Sequence, residues 1–133
     1  MSPCQRSLKH MRDLGFHCEV VERWNPHVRV RKDLFGIADI LAVGHGLTIM
    51  VQTTSGSNLA ARVKKIIAMR TFGLVWLGVS GHRIEVHGWA KHKMRRGGKA
   101  YRYKLNCREI TIPQFLGGKD EDQEVRVQER VPG

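Results

Sequence analysis

One aspartate, Asp39, stands at the head of the apolar run 40–43, and the next apolar run ends in the oxygen-bearing segment 52–54. The link 44–46 between them is short and glycine-containing, as is typical of a hairpin connection. Because side chains alternate between the faces of a strand, such a hairpin places Asp39 opposite Gln52. A carboxylate buried without a partner is costly, so this pairing predicts a bound cation. The alternative is a strand-opening aspartate that only caps a turn.

Two segments resemble the motif of the PD-(D/E)XK nuclease superfamily, namely Gly36-Ile37-Ala38-Asp39-Ile40-Leu41-Ala42 and Gln52-Thr53-Thr54. The superfamily includes Holliday-junction resolvases of the archaeal type and the small VRR-NUC nucleases, and the resemblance covers roughly residues 5 to 78. It implies that Asp39, Gln52 and the main-chain carbonyl of Thr53 hold Mg²⁺ or Mn²⁺, and that a metal-activated water cleaves DNA. Because Gln52 carries no charge, we expect the metal to be bound weakly. Thr54 stands where such enzymes have a lysine. A hydroxyl can position water, but it brings no positive charge.

Other acids lie close to this motif in the sequence. Asp33 precedes Asp39 by six residues and is a candidate for a further metal ligand, or for a loop ion pair with a neighbouring cation. Glu19 and Glu22 are candidates for the additional acid that the resemblance implies.

A predicted helix beginning at Asn58 supplies cations that could replace the missing lysine. Its positions 58, 62 and 65 share one flank, which puts Asn58, Arg62 and Lys65 on a common edge. The free N–H groups at its N-terminus are suited to a phosphate. We therefore expect Arg62 or Lys65 to assist at the phosphate, with solvent-facing cations as the alternative. Thr54 is expected to lie near solvent at the strand end.

The net charge of +11 predicts a polyanionic partner, with DNA first and RNA second. Eight Lys and Arg residues and no acid occupy positions 91–108, around a central Gly-Gly pair that is typical of a hairpin tip. The predicted nucleic-acid contacts are Asn58, Lys91, Lys93, Arg95, Arg96, Lys99, Arg102 and Lys104. Trp89, Tyr101 and Tyr103 could stack on bases, although inward packing is the favoured interpretation.

Composition excludes several classes of protein. Three widely spaced cysteines without a Cys-x-x-Cys pair argue against a disulfide framework and against structural zinc, and favour a reducing cytoplasm. Neither a signal core nor an apolar run long enough for a membrane span is present. The seven histidines show no ligand spacing and are interpreted as surface or loop residues. Nucleotide-binding and serine-hydrolase motifs are absent.

The periodicity predicts a helix over 3–14, a strand near 18–21, strands over 37–43 and 47–54, a helix over 58–70, and strands over 74–79, 82–89 and 101–111. The segment 29–36 is expected to be a loop. We predict one α/β domain over residues 1–116 with a mixed central sheet, a restriction-endonuclease-like αβββαβ core and a C-terminal basic β-hairpin. An acidic, disordered tail is expected over 117–133.

Three functions are compatible with this pattern. The first is a Mg²⁺-dependent endonuclease of a prokaryotic or phage cytoplasm that acts on duplex or branched DNA, with dimerisation, as in resolvases, left open. The second is a nuclease-fold module that binds DNA without cutting it. The third is a basic ribosome- or RNA-associated protein, which gives no reason for Asp39 to face Gln52.

Overall fold

The structure is a computed structural model that describes residues 1–117, so the tail predicted over 117–133 lies outside the described residues except for Gly117. Its helices are α1 (Pro3–Asp13), α2 (Leu59–Ile67), α3 (Arg70–Leu77) and α4 (Ile112–Phe115). Its strands are β1 (His17–Val20), β2 (Arg23–Asn25), β3 (Val30–Lys32), β4 (Ile40–Gly44), β5 (Leu47–Ser55), β6 (His82–Lys93) and β7 (Tyr101–Ile110). In this part of the chain, no helix combines the length and the apolar character needed to cross a membrane.

Five strands form one mixed sheet in the order β1-β4-β5-β6-β7. β5 and β6 are parallel, and the other neighbours are antiparallel. A parallel pair needs a crossover connection, which α2 and α3 provide between β5 and β6. This confirms the predicted α/β class with a mixed central sheet. β2 and β3 pair with each other in a separate two-stranded sheet.

Helices cover β5 on both faces. Met50 packs with Leu59 and Val63 of α2 on one face, whereas Val51 packs with Met11 of α1 on the other. Each such side chain contributes about 1.5–3 kcal/mol when fully buried. Gln52 and Thr54, towards the C-terminal end of β5, are buried although they are polar, so their polar atoms need partners within the protein.

The predicted N-terminal helix is confirmed, including its cap. The Ser2 hydroxyl accepts from the Gln5 amide and the Gln5 side chain accepts from the Ser2 amide, both at 3.2 Å. Gly15 follows the helix with a φ of 94°, a left-handed conformation that suits glycine.

The strand predicted over 74–79 is wrong, because residues 70–77 form α3. A short apolar run is typical of a buried strand and of a buried helix alike. Here Gly73 lets the helix contact α4 so closely that a Cβ atom would lie 2.3 Å from the Phe115 ring. The parallel partner of β5 is β6. The sequence predicted this strand as far as residue 89, and in the structure it continues to Lys93.

The loop predicted over 29–36 contains β3, which pairs with the unpredicted β2. Both strands are three residues long and exposed throughout, so they lack the apolar alternation that indicates a strand.

Candidate metal centre

The register of β4 and β5 brings Asp39 and Gln52 together. Ile40 pairs with Val51, and the Asp39 amide continues the ladder by donating to the Val51 carbonyl at 2.9 Å. Asp39 therefore lies opposite Gln52, as the sequence predicts. Both side chains are buried, with 5% and 2% of their surface exposed.

Three donors converge on one oxygen of Asp39. Its Oδ2 accepts from the Thr53 amide at 2.7 Å, from the Thr53 hydroxyl at 2.9 Å and from Gln52 Nε2 at 3.4 Å. These bonds fix the orientation of the carboxylate. Thr53 was predicted to contribute its carbonyl to a metal. Its amide and hydroxyl contacts with Asp39 were not predicted, and the carbonyl role remains a prediction.

Two further carboxylates join Asp39 from the base of the β2–β3 hairpin. Arg23 pairs with Lys32 at the open end of the β2–β3 hairpin. Glu22 precedes Arg23 and Asp33 follows Lys32, so these two acids lie across from each other. One carboxylate oxygen from each of Glu22, Asp33 and Asp39 lies within 4.8 Å of the other two. Of the acids considered from the sequence, Asp33 and Glu22 are thus brought to Asp39.

Gln52 connects two of these carboxylates. Its Nε2 donates to Asp33 Oδ2 at 3.2 Å as well as to Asp39. Within the described residues, Gln52 Oε1 is buried without a hydrogen-bond partner. A half-turn of the amide exchanges the two atoms and points this oxygen at the space between the carboxylates. In that orientation the oxygen would face a cation bound between the carboxylates, and the two hydrogen bonds that Nε2 now donates would be given up.

The electrostatics of the cluster also favour a cation. Burial raises the pKa of Asp33 from 3.8 to about 7, and a hydrogen bond with Asp39 and the negative charge of Asp39 add to this effect. The Gln52 hydrogen bond acts in the opposite direction. Arg31 pairs with Glu22 at 3.1 Å. A divalent cation would neutralise the negative charge of Asp39, which adds to this rise in the pKa of Asp33.

The N-terminal turn of α1 lies beside the same cluster. The pKa of the Cys4 thiol is raised first by burial and then by the charges of Asp39 and Glu22. The thiol therefore stays protonated and is a poor metal ligand. The remaining donors are all oxygens, which favours a hard cation such as Mg²⁺ or Mn²⁺ over zinc.

Within the described residues, no hydrogen bond or ion pair links the other predicted catalytic residues to these carboxylates. Thr54 is buried, with 7% of its surface exposed, so the expectation that it lies near solvent is wrong. Thr54 pairs with Gly88, which lies close to Gly56 and to Leu59 at the start of α2. Arg62 and Lys65 on α2 make no hydrogen bond or ion pair with the carboxylates in the part of the chain that the structure describes. Glu19 is exposed on β1, opposite Leu41.

The basic segment lies at the same end of the sheet as the acids. Ser55 at the end of β5 pairs with Trp89, and β6 then continues to Lys93 beyond it. β7 returns antiparallel, with Lys91 opposite Tyr103. The predicted contact residues Lys91, Lys93, Arg95, Arg96, Lys99, Arg102 and Lys104 are all exposed. Asn58 is also exposed and precedes α2 without a side-chain capping bond.

The two tyrosines of this segment do not pack inward. Tyr101 and Tyr103 are 47% and 42% exposed, and each ring lies against a cation. The Arg6 guanidinium lies 3.4 Å from the centroid of the Tyr103 ring, and Lys91 Nζ lies 4.2 Å from that of Tyr101. Inward packing holds for Trp89, whose indole donates to the Ser7 hydroxyl at 2.8 Å. The favoured interpretation is therefore wrong for both tyrosines.

The interpretation of all seven histidines as surface or loop residues is wrong for His87, which is fully buried under α1. Its Nδ1 lies 2.9 Å from Ser7 Oγ and its Nε2 lies 2.8 Å from Glu85 Oε1. The Cys107 thiol donates to the same Glu85 oxygen at 3.4 Å. The alternation of Glu85 and His87 around Val86 indicates that they share one face of β6, but Ser7, the partner of His87, is too distant in sequence to be foreseen.

Comparison with protein-family models, with curated proteins and with solved structures finds no match to this chain. Its function must therefore be argued from the geometry. The functional candidates missed in the sequence are Arg31, through its pair with Glu22, and the side chain of Thr53. The position of Thr53 near the end of a strand is only a weak indication that its side chain contacts Asp39. The pairing of Arg31 with Glu22 can be recognised only once the β2–β3 hairpin is known.

Proposed function

We propose that this protein is a Mg²⁺- or Mn²⁺-dependent nuclease that hydrolyses phosphodiester bonds of DNA. The observation that carries the proposal is the convergence of Glu22, Asp33 and Asp39 within 4.8 Å beside the buried Gln52 amide. Three carboxylates suit a hard divalent cation, and Gln52 would add an oxygen to them once its amide is turned over. Such a cation activates water and offsets charge that develops on the phosphate.

The order of elements supports the same proposal. With the β2–β3 hairpin set aside, the chain runs α1, β1, β4, β5, α2 and, after α3, β6. With α3 also set aside, this order is similar to the αβββαβ order of the PD-(D/E)XK core that the motif resembles. We propose that Asp39, directly before β4, and Gln52, near the end of β5, correspond to the two motif positions within that order.

In this site the chain's own residues position the metal ligands. Thr53 orients the Asp39 carboxylate through its amide and hydroxyl. Arg31 holds Glu22 in place and adds positive charge near the phosphate, in a role that the sequence resemblance gives to lysine. Arg62 and Lys65 are proposed to contact the substrate away from the metal ligands.

The basic hairpin of β6 and β7 extends the surface on which DNA would lie. Thr53 pairs with His87, and Lys91 follows His87 by four residues, which corresponds to about 13 Å along a strand. Lys93 follows at about 20 Å. With about 3.4 Å of rise per nucleotide, a substrate at the metal centre would reach these cations within about four to six nucleotides.

A second function is favoured by one observation. Thr54 is neutral and buried where the motif has lysine, which is the pattern of a nuclease-fold module that binds DNA without cutting it. The two functions predict the same binding surface and differ in metal-dependent cleavage.

The deciding experiment is a cleavage assay on linear duplex, single-stranded and four-way-junction DNA, with an RNA strand in parallel, in Mg²⁺ and in Mn²⁺. We expect cleavage that is lost in Asp39→Asn and retained in Glu19→Gln, a control that neutralises an exposed acid outside the cluster. DNA binding without cleavage by the wild-type protein in either metal would assign the binding function. Cleavage of RNA alone would replace DNA as the substrate.

A further inference from the structure

The β2–β3 hairpin connects the metal centre to an exposed aromatic side chain. Trp24 pairs with Arg31, one position closer to the turn of the hairpin than the Arg23–Lys32 pair. Alternation along each strand places Trp24 on the same face of the hairpin as Glu22. The same face therefore carries an acid of the candidate metal centre at its base and Trp24 further out.

Trp24 differs from the other two tryptophans of the chain. It is 58% exposed. The indole N–H of Trp76 donates to the Arg83 carbonyl at 2.9 Å, and that of Trp89 donates to Ser7. Within residues 1–117, Trp24 makes neither a hydrogen bond through its indole nor a contact with another ring. A large apolar surface is therefore left facing solvent.

The charge around Trp24 indicates what covers it. Residues 23–32 contain four cations and no acid, the cations being Arg23, Arg29, Arg31 and Lys32. An apolar partner without charge gains nothing from this set, whereas a polyanion does. An exposed aromatic ring among cations is the combination that binds single-stranded nucleic acid, because bases stack on the ring while cations contact the backbone.

Distance restricts which base can reach the ring. Trp24 lies two residues from Glu22, about 7 Å along the strand, which is comparable to the separation of neighbouring nucleotides in an extended strand. In a duplex, each base is already stacked between its neighbours and is not available to Trp24. A base next to a break, a branch or a single-stranded segment is available.

We propose that Trp24 stacks on an unpaired base adjacent to the phosphate held at the metal centre, so that the substrate class is DNA with a single-stranded segment or a branch. The proposal rests on the nuclease function for the position of the phosphate. It assigns the β2–β3 hairpin as the element that recognises strand structure, and the β6–β7 hairpin as the element that binds the backbone of any DNA.

Binding is tested first without cleavage, in EDTA, with a fluorescently labelled single-stranded oligonucleotide and a blunt duplex of the same sequence. We expect Trp24→Ala to weaken single-strand binding about tenfold or more and to change duplex binding less than about twofold. Trp24→Phe keeps a stacking ring and should retain most of the affinity. Val28→Ala, which removes an exposed apolar side chain from the same hairpin, is the matched control.

Cleavage is tested second, on a branched substrate and a duplex. Trp24→Ala should reduce the preference for the branched substrate while metal-dependent cutting of duplex DNA persists. If Trp24→Ala slows cleavage of both substrates equally, or slows neither, the stacking proposal is overturned and the nuclease function stands. If the wild-type protein cuts nothing but Trp24→Ala still weakens only single-strand binding, the nuclease function and the placement next to the phosphate fail, while recognition of unpaired bases by Trp24 stands.

Discussion

Thr53 donates two hydrogen bonds to one oxygen of Asp39, through its amide at 2.7 Å and its hydroxyl at 2.9 Å. A hydroxyl that holds a metal-binding carboxylate orients the ligand without touching the metal. We therefore expect removal of the Thr53 hydroxyl to weaken metal binding through Asp39.

Thr53→Val keeps the shape and the strand preference of the side chain and deletes this hydroxyl. We expect the affinity for Mn²⁺ to fall about tenfold, within the range usual for such supporting residues. Isothermal titration with Mn²⁺ measures the change. Thr48→Val, on the same strand but outside the cluster, should leave the affinity unaltered, and an equal loss in both variants would point to a general effect on β5.

The binding of metal should depend on pH through Asp33. Burial and the neighbouring Asp39 raise the pKa of Asp33 from 3.8 to about 7, so a cation competes with a proton there. Mn²⁺ affinity should increase as the pH rises towards about 7 and level off above it. Asp33→Asn should lower the affinity and remove this dependence, while Asp13→Asn, an exposed acid on α1, should keep it.

Asp33 should also make the metal-free protein less stable as the pH rises, whereas the same rise in pH strengthens metal binding. The folded state holds the Asp33 proton more tightly than the unfolded state, because the folded pKa is the higher one. This contribution to stability is complete below about pH 4 and is lost as the pH rises through about 7. Thermal unfolding in EDTA at several pH values should show a loss that Asp33→Asn reduces.

DNA binding should weaken steeply with salt. Contacts between the β6–β7 hairpin and phosphates release counterions, so the logarithm of the binding constant falls by about 0.9 per contact for each decade of salt. Neutralising Arg95, Arg96 and Lys99 together should flatten this slope, as measured by fluorescence anisotropy. Lys9→Gln, at a cation that pairs with Asp13, serves as the control, and an unaltered slope in the triple variant would exclude the hairpin tip from the binding surface.

The buried network under α1 should contribute to stability rather than to chemistry. Ser7→Ala leaves the His87 ring nitrogen and the Trp89 indole without the hydroxyl that both contact. A buried polar group without its partner costs about 1–3 kcal/mol, so we expect a loss of about 2 kcal/mol in the free energy of unfolding. Urea denaturation measures it, with Ser80→Ala in an exposed loop as the control. Metal affinity should not change.

The sequence predicted the pairing of Asp39 with Gln52 because it depends on two adjacent strands and a three-residue link, in which alternation fixes the facing side chains. It offered Glu22 and Asp33 as candidates but could not place them, because their approach depends on two exposed strands without an apolar pattern. The buried position of His87 was missed for a related reason. Its partner Ser7 lies 80 residues away, and no local pattern reports such a contact.

The β2–β3 hairpin stands outside the main sheet, and Glu22 and Asp33 lie at its base. A divalent cation shared with Asp39 would attach both ends of this hairpin to the start of β4. The free energy of local opening would then increase with metal concentration, by about 2.7 kcal/mol when the metal is at one hundred times its dissociation constant. Trypsin cuts after lysine and arginine, and the exposed segment 23–32 contains three arginines and one lysine. Its digestion rate is therefore a local measure of cation binding, independent of DNA and of catalysis.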